Sequence, residues 1–222
     1  MNTVLVVAPH PDDETLGCGG TLLRHKAEGD SIHWLIMTSM QTSQGFKAEQ
    51  IESRQQEITE IAQRYQFDSV HELNFPTTQL DSCPRNELVG AFADGVKNIS
   101  PTILYLPYRY DIHSDHKVTF DVAAACTKSF RYPSIRSVRA YETLSETEYN
   151  LDPAGRGFNP NLYVDISGHL ASKIEIMQLY KGEMGEAPFP RSAKLIEAQA
   201  TLRGSVIGSD AAEAFVSLRE VI

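Results

Sequence analysis

Hydrophobic positions fall in short runs of strand length, at Thr3–Ala8, Ile32–Thr38, Ser69–Phe75, Thr102–Leu106, Val138–Thr143 and Leu162–Ile166, and most are separated by stretches of helical period. That alternation predicts an α/β fold with a mainly parallel sheet flanked by helices, in a Rossmann-like arrangement. The first run, TVLVVAP, is apolar at every alternate position on both sides, the pattern of a central strand covered on both faces. Helices are predicted over Leu16–Glu28, Ala48–Gln66, Asn86–Asn98, Asp115–Lys128, His169–Tyr180 and Ala193–Arg203. A last helix is expected over Asp210–Val221, with Asp210 as N-cap and Glu213 completing a capping box, so the chain is expected to end in a helical elaboration. Its positions Ala214, Phe215, Leu218 and Ile222 would form an apolar docking stripe.

The apolar runs leave polar crossings, and two of these concentrate chemistry. After the first strand comes HPDDE, residues 10–14, and after TILYLP comes YRYDIHSDHK, with Asp111, His113, Asp115 and His116. In sheets of this kind ligands bind beyond the carboxyl ends of the strands. His10 and Asp13 are three residues apart and can turn toward one point, as can His113 and His116. One imidazole and one carboxylate are two ligands for a divalent metal, and a catalytic zinc site commonly takes three protein ligands, so the second crossing must supply the rest. A blander reading has Asp12 and Asp13 capping the following helix and the second crossing merely starting another.

The glycines of GCGGT, residues 17–21, match neither the dinucleotide fingerprint nor the Walker pattern, and are expected to let helix and strand pack closely. A nucleotide-binding module is the competing class. Arg54 is in helical register with Ile58, Ile61 and Tyr65, which carries it inward to meet an acid such as Glu57 or a substrate. The irregular segment EMGEAPFPR, residues 183–191, is expected to rim a site with Arg191. Tyr108 and Tyr110 would pack on a ligand ring or support their loop. His25, His33, His71 and His169 show no clustered partners in the sequence.

Composition narrows the reading. The chain has 222 residues, 41% hydrophobic and 22% charged, which suits a single domain over 1–222 with no linker or repeat. A net charge of -9 argues against nucleic acid and anionic membrane as partners. Three scattered cysteines offer neither a disulfide framework nor a CxxC metal knuckle, and no targeting signal or apolar run of the roughly 18 residues needed to span a bilayer is present. A cytoplasmic location is therefore expected, and exposed apolar positions leave room for a homo-oligomer.

APHPDDE together with DIHSDH resembles the PIG-L/LmbE-like deacetylases, zinc-dependent enzymes that remove the acetyl group from N-acetylglucosamine conjugates and related amino sugars. The resemblance extends through ESRQQEI, FNPNLYVDIS and PFPRS. It implies His10, Asp13 and His116 as metal ligands, Asp12 as general base, His113 as the oxyanion-stabilising or general-acid group, and Asp115 as its orienting partner. It also implies an arginine at position 54 on sugar hydroxyls, and Arg191, from its place in the irregular loop, is a further candidate for the same task. Zinc (Zn2+) is the expected ion, although two histidines and one carboxylate also describe Fe2+ sites or those of another divalent metal. A metal-dependent amidase acting on another acyl amide remains a second possibility. Two departures stand out: Thr77 occupies the place where many relatives carry an aspartate, and Ser114 replaces a proline in the second motif.

Overall fold

The computed structural model describes residues 1–151, 154 and 157–222. Seven strands form one sheet in the order β3-β2-β1-β4-β5-β7-β6. They are β1 (Thr3–Ala8), β2 (Ser31–Ser39), β3 (Ser69–Pro76), β4 (Ile103–Pro107), β5 (Ser137–Tyr141), β6 (Leu162–Asp165) and β7 (Ala212–Glu220). Strands β1 to β5 pair in parallel, and β7 lies antiparallel to both β5 and β6.

The central strand behaves as its pattern requires. Val4, Val6 and Ala8 pack on one face against α1 (Asp13–Ala27), α2 (Ala48–Tyr65), α5 (Leu170–Met177) and α6 (Ala193–Ile207). Leu5 and Val7 pack on the other against α3 (Arg85–Ile99) and α4 (Ser114–Ala125). A period of two along β1 thus divides the core into two layers.

The glycines of α1 are packing residues. A Cβ on Gly17 would stand 2.2 Å from the Tyr141 ring, and one on Gly20 would stand 2.7 Å from Ile166. Only a bare backbone lets α1 settle this close to the sheet, as expected of GCGGT.

The expected last helix is strand β7. Glu213 does not close a capping box: its carboxylate is buried, accepts from the amides of Gly20 and Thr21, and pairs with the buried Lys173 at 2.7 Å. Lys173 also donates to the carbonyl of Leu16 at 2.8 Å. Ala214 and Phe215 are core residues rather than part of an outward stripe, because β7 fills the slot between β5 and β6 and both its faces are covered there. Pairing and burial outweigh helical propensity over this segment. The helical elaboration is α5 and α6, which precede the terminal strand. No helix among the described residues is long and apolar enough to cross a membrane.

Candidate active site

The crossing from β1 to α1 sets the site. Helix α1 starts at Asp13, so Asp13 and Glu14 occupy its first turn, where the helix dipole favours carboxylates. Asp12 stands at the helix entrance with φ 142° and ψ -29°, a conformation L-residues rarely adopt, and its side chain makes no capping hydrogen bond. Capping therefore does not account for Asp12. The strained peptide is held by Glu14, whose fully buried carboxylate accepts from the Asp12 amide at 3.1 Å and from the Tyr180 and Thr15 hydroxyls at 2.6 Å each. Burial raises the Glu14 carboxyl to about 7.

Strand β4 lies beside β1, so the crossing from β4 to α4 opens next to the first motif. Donor atoms of His10, Asp13 and His116 all lie within 4.8 Å of one another. Asp13 Oδ2 is 3.3 Å from His10 Nδ1 and 3.3 Å from His116 Nε2, and it accepts the His10 amide at 2.9 Å. The far nitrogen of each ring is engaged by an outer carboxylate: His10 Nε2 meets Asp115 Oδ2 at 3.0 Å, and His116 Nδ1 meets Asp111 Oδ2 at 2.8 Å. Those partners leave Nδ1 of His10 and Nε2 of His116 to Asp13, with which they share protons and from which a bound cation would take over their lone pairs.

The donor set suits a divalent cation. Burial opposes charge on His10, yet hydrogen bonds to Asp115 and Asp13 raise it to about 9. His116 is likewise raised, its burial outweighed by Asp13 and Asp111. Asp13, although buried, is held well below the usual carboxylate range by His116 and His10. Three carboxylates around two imidazoles thus draw positive charge to this point, and one carboxylate with two histidines is a ligand set for zinc or iron.

Asp115 does not serve His113 as the sequence suggests. Its carboxylate holds His10 and accepts the amides of Thr78 and Leu80 at 2.7 and 3.1 Å. His113 instead caps α4, its Nδ1 accepting the Asp115 amide at 3.0 Å. With Nδ1 an acceptor, the proton sits on Nε2. Burial, together with the neighbouring His10 and His116, lowers His113 to about 4, so the ring is a neutral donor.

A cavity of about 190 Å³ opens over this cluster, lined by His10, Asp12, Asp13 and His113, by Arg54 of α2, and by Glu146, Glu183 and Arg191. Asp12 Oδ2 accepts from Arg191 at 2.9 Å, and burial followed by the charge of Asp13 raises its carboxyl well above the ordinary value against the pull of Arg191. Both arginines converge on Glu183: Arg54 Nη2 on Oε1, and Arg191 Nη1 on Oε2 at 2.7 Å. Arg54 also lies 3.4 Å from Glu57 and donates to the Pro11 carbonyl at 3.1 Å. Thr77 and Thr78 line the cavity opposite, whereas Tyr108 and Tyr110 pack on each other outside it, with Tyr108 reaching Phe158 and the Gly157 carbonyl.

Of the residues singled out from the sequence, His10, Asp12, Asp13, Arg54, Thr77, His113 and Arg191 line the cavity, His116 and Asp115 are buried behind it in contact with Asp13 and His10, and the two tyrosines lie outside. Sequence reasoning gave no role to Glu14, Glu183, Glu146 or the buried Asp111, which Thr147 fixes by a 2.6 Å hydrogen bond. Glu14 and Asp111 left a signal as acids inside the two motifs, and Glu183 as the first residue of the segment expected to rim the site; Glu146 left none. His25 is also not solitary: with Glu28 and Asp30 it forms a second cluster at the far end of α1.

Comparison with known proteins follows the same lines. Residues 5–127, just over half the chain, match the family model described as PIG-L, GlcNAc-PI de-N-acetylase. A diacetylchitobiose deacetylase of Thermococcus kodakarensis is 26% identical over 202 residues, covering 84% of this chain and 72% of the relative. The crystal structure of the conserved protein TT1542 from Thermus thermophilus superposes with a TM-score of 0.79 at 28% identity, covering 100% of this chain and 97% of the other. The N,N'-diacetylchitobiose deacetylase of Pyrococcus horikoshii gives a TM-score of 0.77 at 20% identity over 97% of this chain and 83% of that one, a likeness of fold.

Proposed function

The chain belongs to the PIG-L family, and on that premise we propose that it is a metal-dependent N-deacetylase, using zinc, that cleaves the acetyl group from an N-acetylglucosamine-type sugar or glycoconjugate to give acetate and a free amine. The carrying observation is the convergence of His10, Asp13 and His116 within 4.8 Å, with His10 and Asp13 lining the same cavity as Asp12. Relatives that are deacetylases of a chitobiose unit support the choice of an amino sugar.

His10, Asp13 and His116 would hold the ion, with Asp115 and Asp111 fixing the two rings from behind. When bound, such an ion supplies a water acidified toward neutrality and a polarised acyl carbonyl. Asp12 is the base: its carboxylate is buried beside the donor cluster, its peptide is locked by Glu14, and Arg191 anchors one oxygen. It accepts a proton from the attacking water and returns it to the leaving nitrogen, so that the C–N bond breaks with a neutral amine departing. His113 donates from Nε2 to the carbonyl oxygen as that oxygen gains negative charge. Arg54 and Arg191 face the sugar and orient its hydroxyls.

Release of primary amine from N-acetylglucosamine and its β-linked dimer, with and without chelator, tests the assignment. Turnover that chelator abolishes and added zinc restores is the expected result. Turnover indifferent to chelator, or absent from every N-acetyl sugar, would overturn it.

A further inference from the structure

We propose that the shallow groove between α2 and the edge strand β3 is a saccharide-binding site that receives the further units of a neutral oligosaccharide whose acetylated end lies in the catalytic cavity. The inference rests on the deacetylase reading above and extends it to substrate length and charge. The groove, of about 360 Å³, adjoins the catalytic cavity, since Gln55, Ile58 and Glu72 line both. At the neck Gln55 of α2 donates to Glu72 of β3 at 2.9 Å, tying the two walls together.

From there the groove follows α2 past Thr59 and Gln63 to Gln66. The helix from Gln55 to its end at Tyr65 rises about 15 Å, room for about three sugar units. The chemistry of the lining names the occupant. Gln63 and Gln66 offer amide donors and acceptors and Thr59, whose hydroxyl donates to the Gln55 carbonyl, an acceptor oxygen, while the ring of Phe67 gives an apolar wall held by stacking on buried Trp34 at 5.5 Å. Hydroxyl edges and C–H faces of pyranose rings match that mixture of polar and aromatic surface. Among the described residues no lysine or arginine lines the groove, and the only charge there is that of Glu72 at the neck. A phosphorylated conjugate would find no cation to pair with in the groove and an acid at its entrance.

The test compares kcat/KM for N-acetylglucosamine with that for its β-linked trimer and tetramer, in the wild type and in Thr59→Trp. Thr59 is exposed, lies on the groove and is not among the residues lining the catalytic cavity, so the indole blocks the groove without disturbing the base rate. Two or more additional hydrogen bonds correspond to an advantage of about tenfold for the longer substrates, lost in Thr59→Trp while turnover of the single sugar is kept. Binding of the neutral N-acetylglucosamine tetramer to Asp12→Asn protein, followed by calorimetry, reads the groove without hydrolysis and should weaken about tenfold when Thr59→Trp is added. Deacetylation that is equally fast for one sugar and four, or tetramer binding indifferent to Thr59→Trp, overturns the groove and leaves the deacetylase intact. Tetramer binding that depends on Thr59 without acetate release from any sugar sustains the groove and overturns the enzyme. Gln63→Ala, a smaller change on the same wall, is expected to give a loss of about threefold and guards against misfolding of the tryptophan variant.

Discussion

Two histidine-carboxylate clusters lie at opposite ends of α1, and they commit their imidazoles differently. Both bring a histidine and acids to within 4.8 Å of one another. At the first, each imidazole gives one nitrogen to an outer carboxylate and keeps the other for the shared point near Asp13. At the second, both nitrogens of His25 are engaged, Nδ1 by Asp30 at 2.8 Å and Nε2 by the Tyr105 hydroxyl at 3.0 Å. Asp30 is further taken by the amide and side chain of Asn2, and exposed Glu28 pairs with Arg24. Proximity of donor types therefore does not make a metal site: a ligand needs a free lone pair, and the groups behind each ring decide which lone pair is free.

The largest effect should separate chemistry from binding. Asp12→Asn is expected to lower kcat by about 10²–10⁴ while metal content and melting temperature hold, because the amide keeps the shape and loses the base. Turnover near the wild-type rate would remove Asp12 from that role. Next, Asp111→Asn should weaken metal affinity by roughly ten- to a hundredfold, since His116 then loses the carboxylate that fixes its tautomer. Competition with a coloured chelator measures this, and unchanged affinity would mean that the outer carboxylate is idle.

At the other cluster the same kind of change should cost folding, not function. His25→Gln is expected to destabilise by about 1–3 kcal/mol in denaturant titration, leaving buried Tyr105 and Asp30 short of a partner, with activity within about twofold of wild type. A loss of metal in this variant would blur the distinction between the clusters. The smallest effect is in pH. Burial first, against the pull of Asp30, lowers His25 below its usual value of 6.5, so the folded protein prefers the neutral ring. The unfolded chain takes up that proton as pH falls below about 6.5, so stability is full above that pH and declines toward the lower folded value. Melting temperatures from pH 7 to 5 should fall more steeply for the wild type than for His25→Gln, and parallel slopes would contradict the assignment.

Where sequence and structure agree, local signals and tertiary demands coincide. Strand β1 was legible because both faces are buried, and the two motifs because each lies at the carboxyl end of a strand next to the other's. Where they part, the deciding contacts are remote in the chain. Glu213 reads as the third residue of a helix cap, yet a buried lysine forty positions earlier claims it, and the slot between β5 and β6 makes its segment a strand. Asp115 reads as the neighbour of His113, yet its carboxylate turns to His10, which is 105 positions away. Likewise the sequence marks the segment from Glu183 to Arg191 as a rim, yet not that Arg54 of a distant helix meets Arg191 on Glu183.

Zinc titration into metal-stripped protein, compared between wild type, His116→Ala and His25→Ala, bears most directly on the claim that one shared ion is held by His10, Asp13 and His116. One ion per chain is predicted for the wild type and for His25→Ala, with binding lost in His116→Ala. Undiminished binding in His116→Ala, or loss in His25→Ala alone, would contradict it.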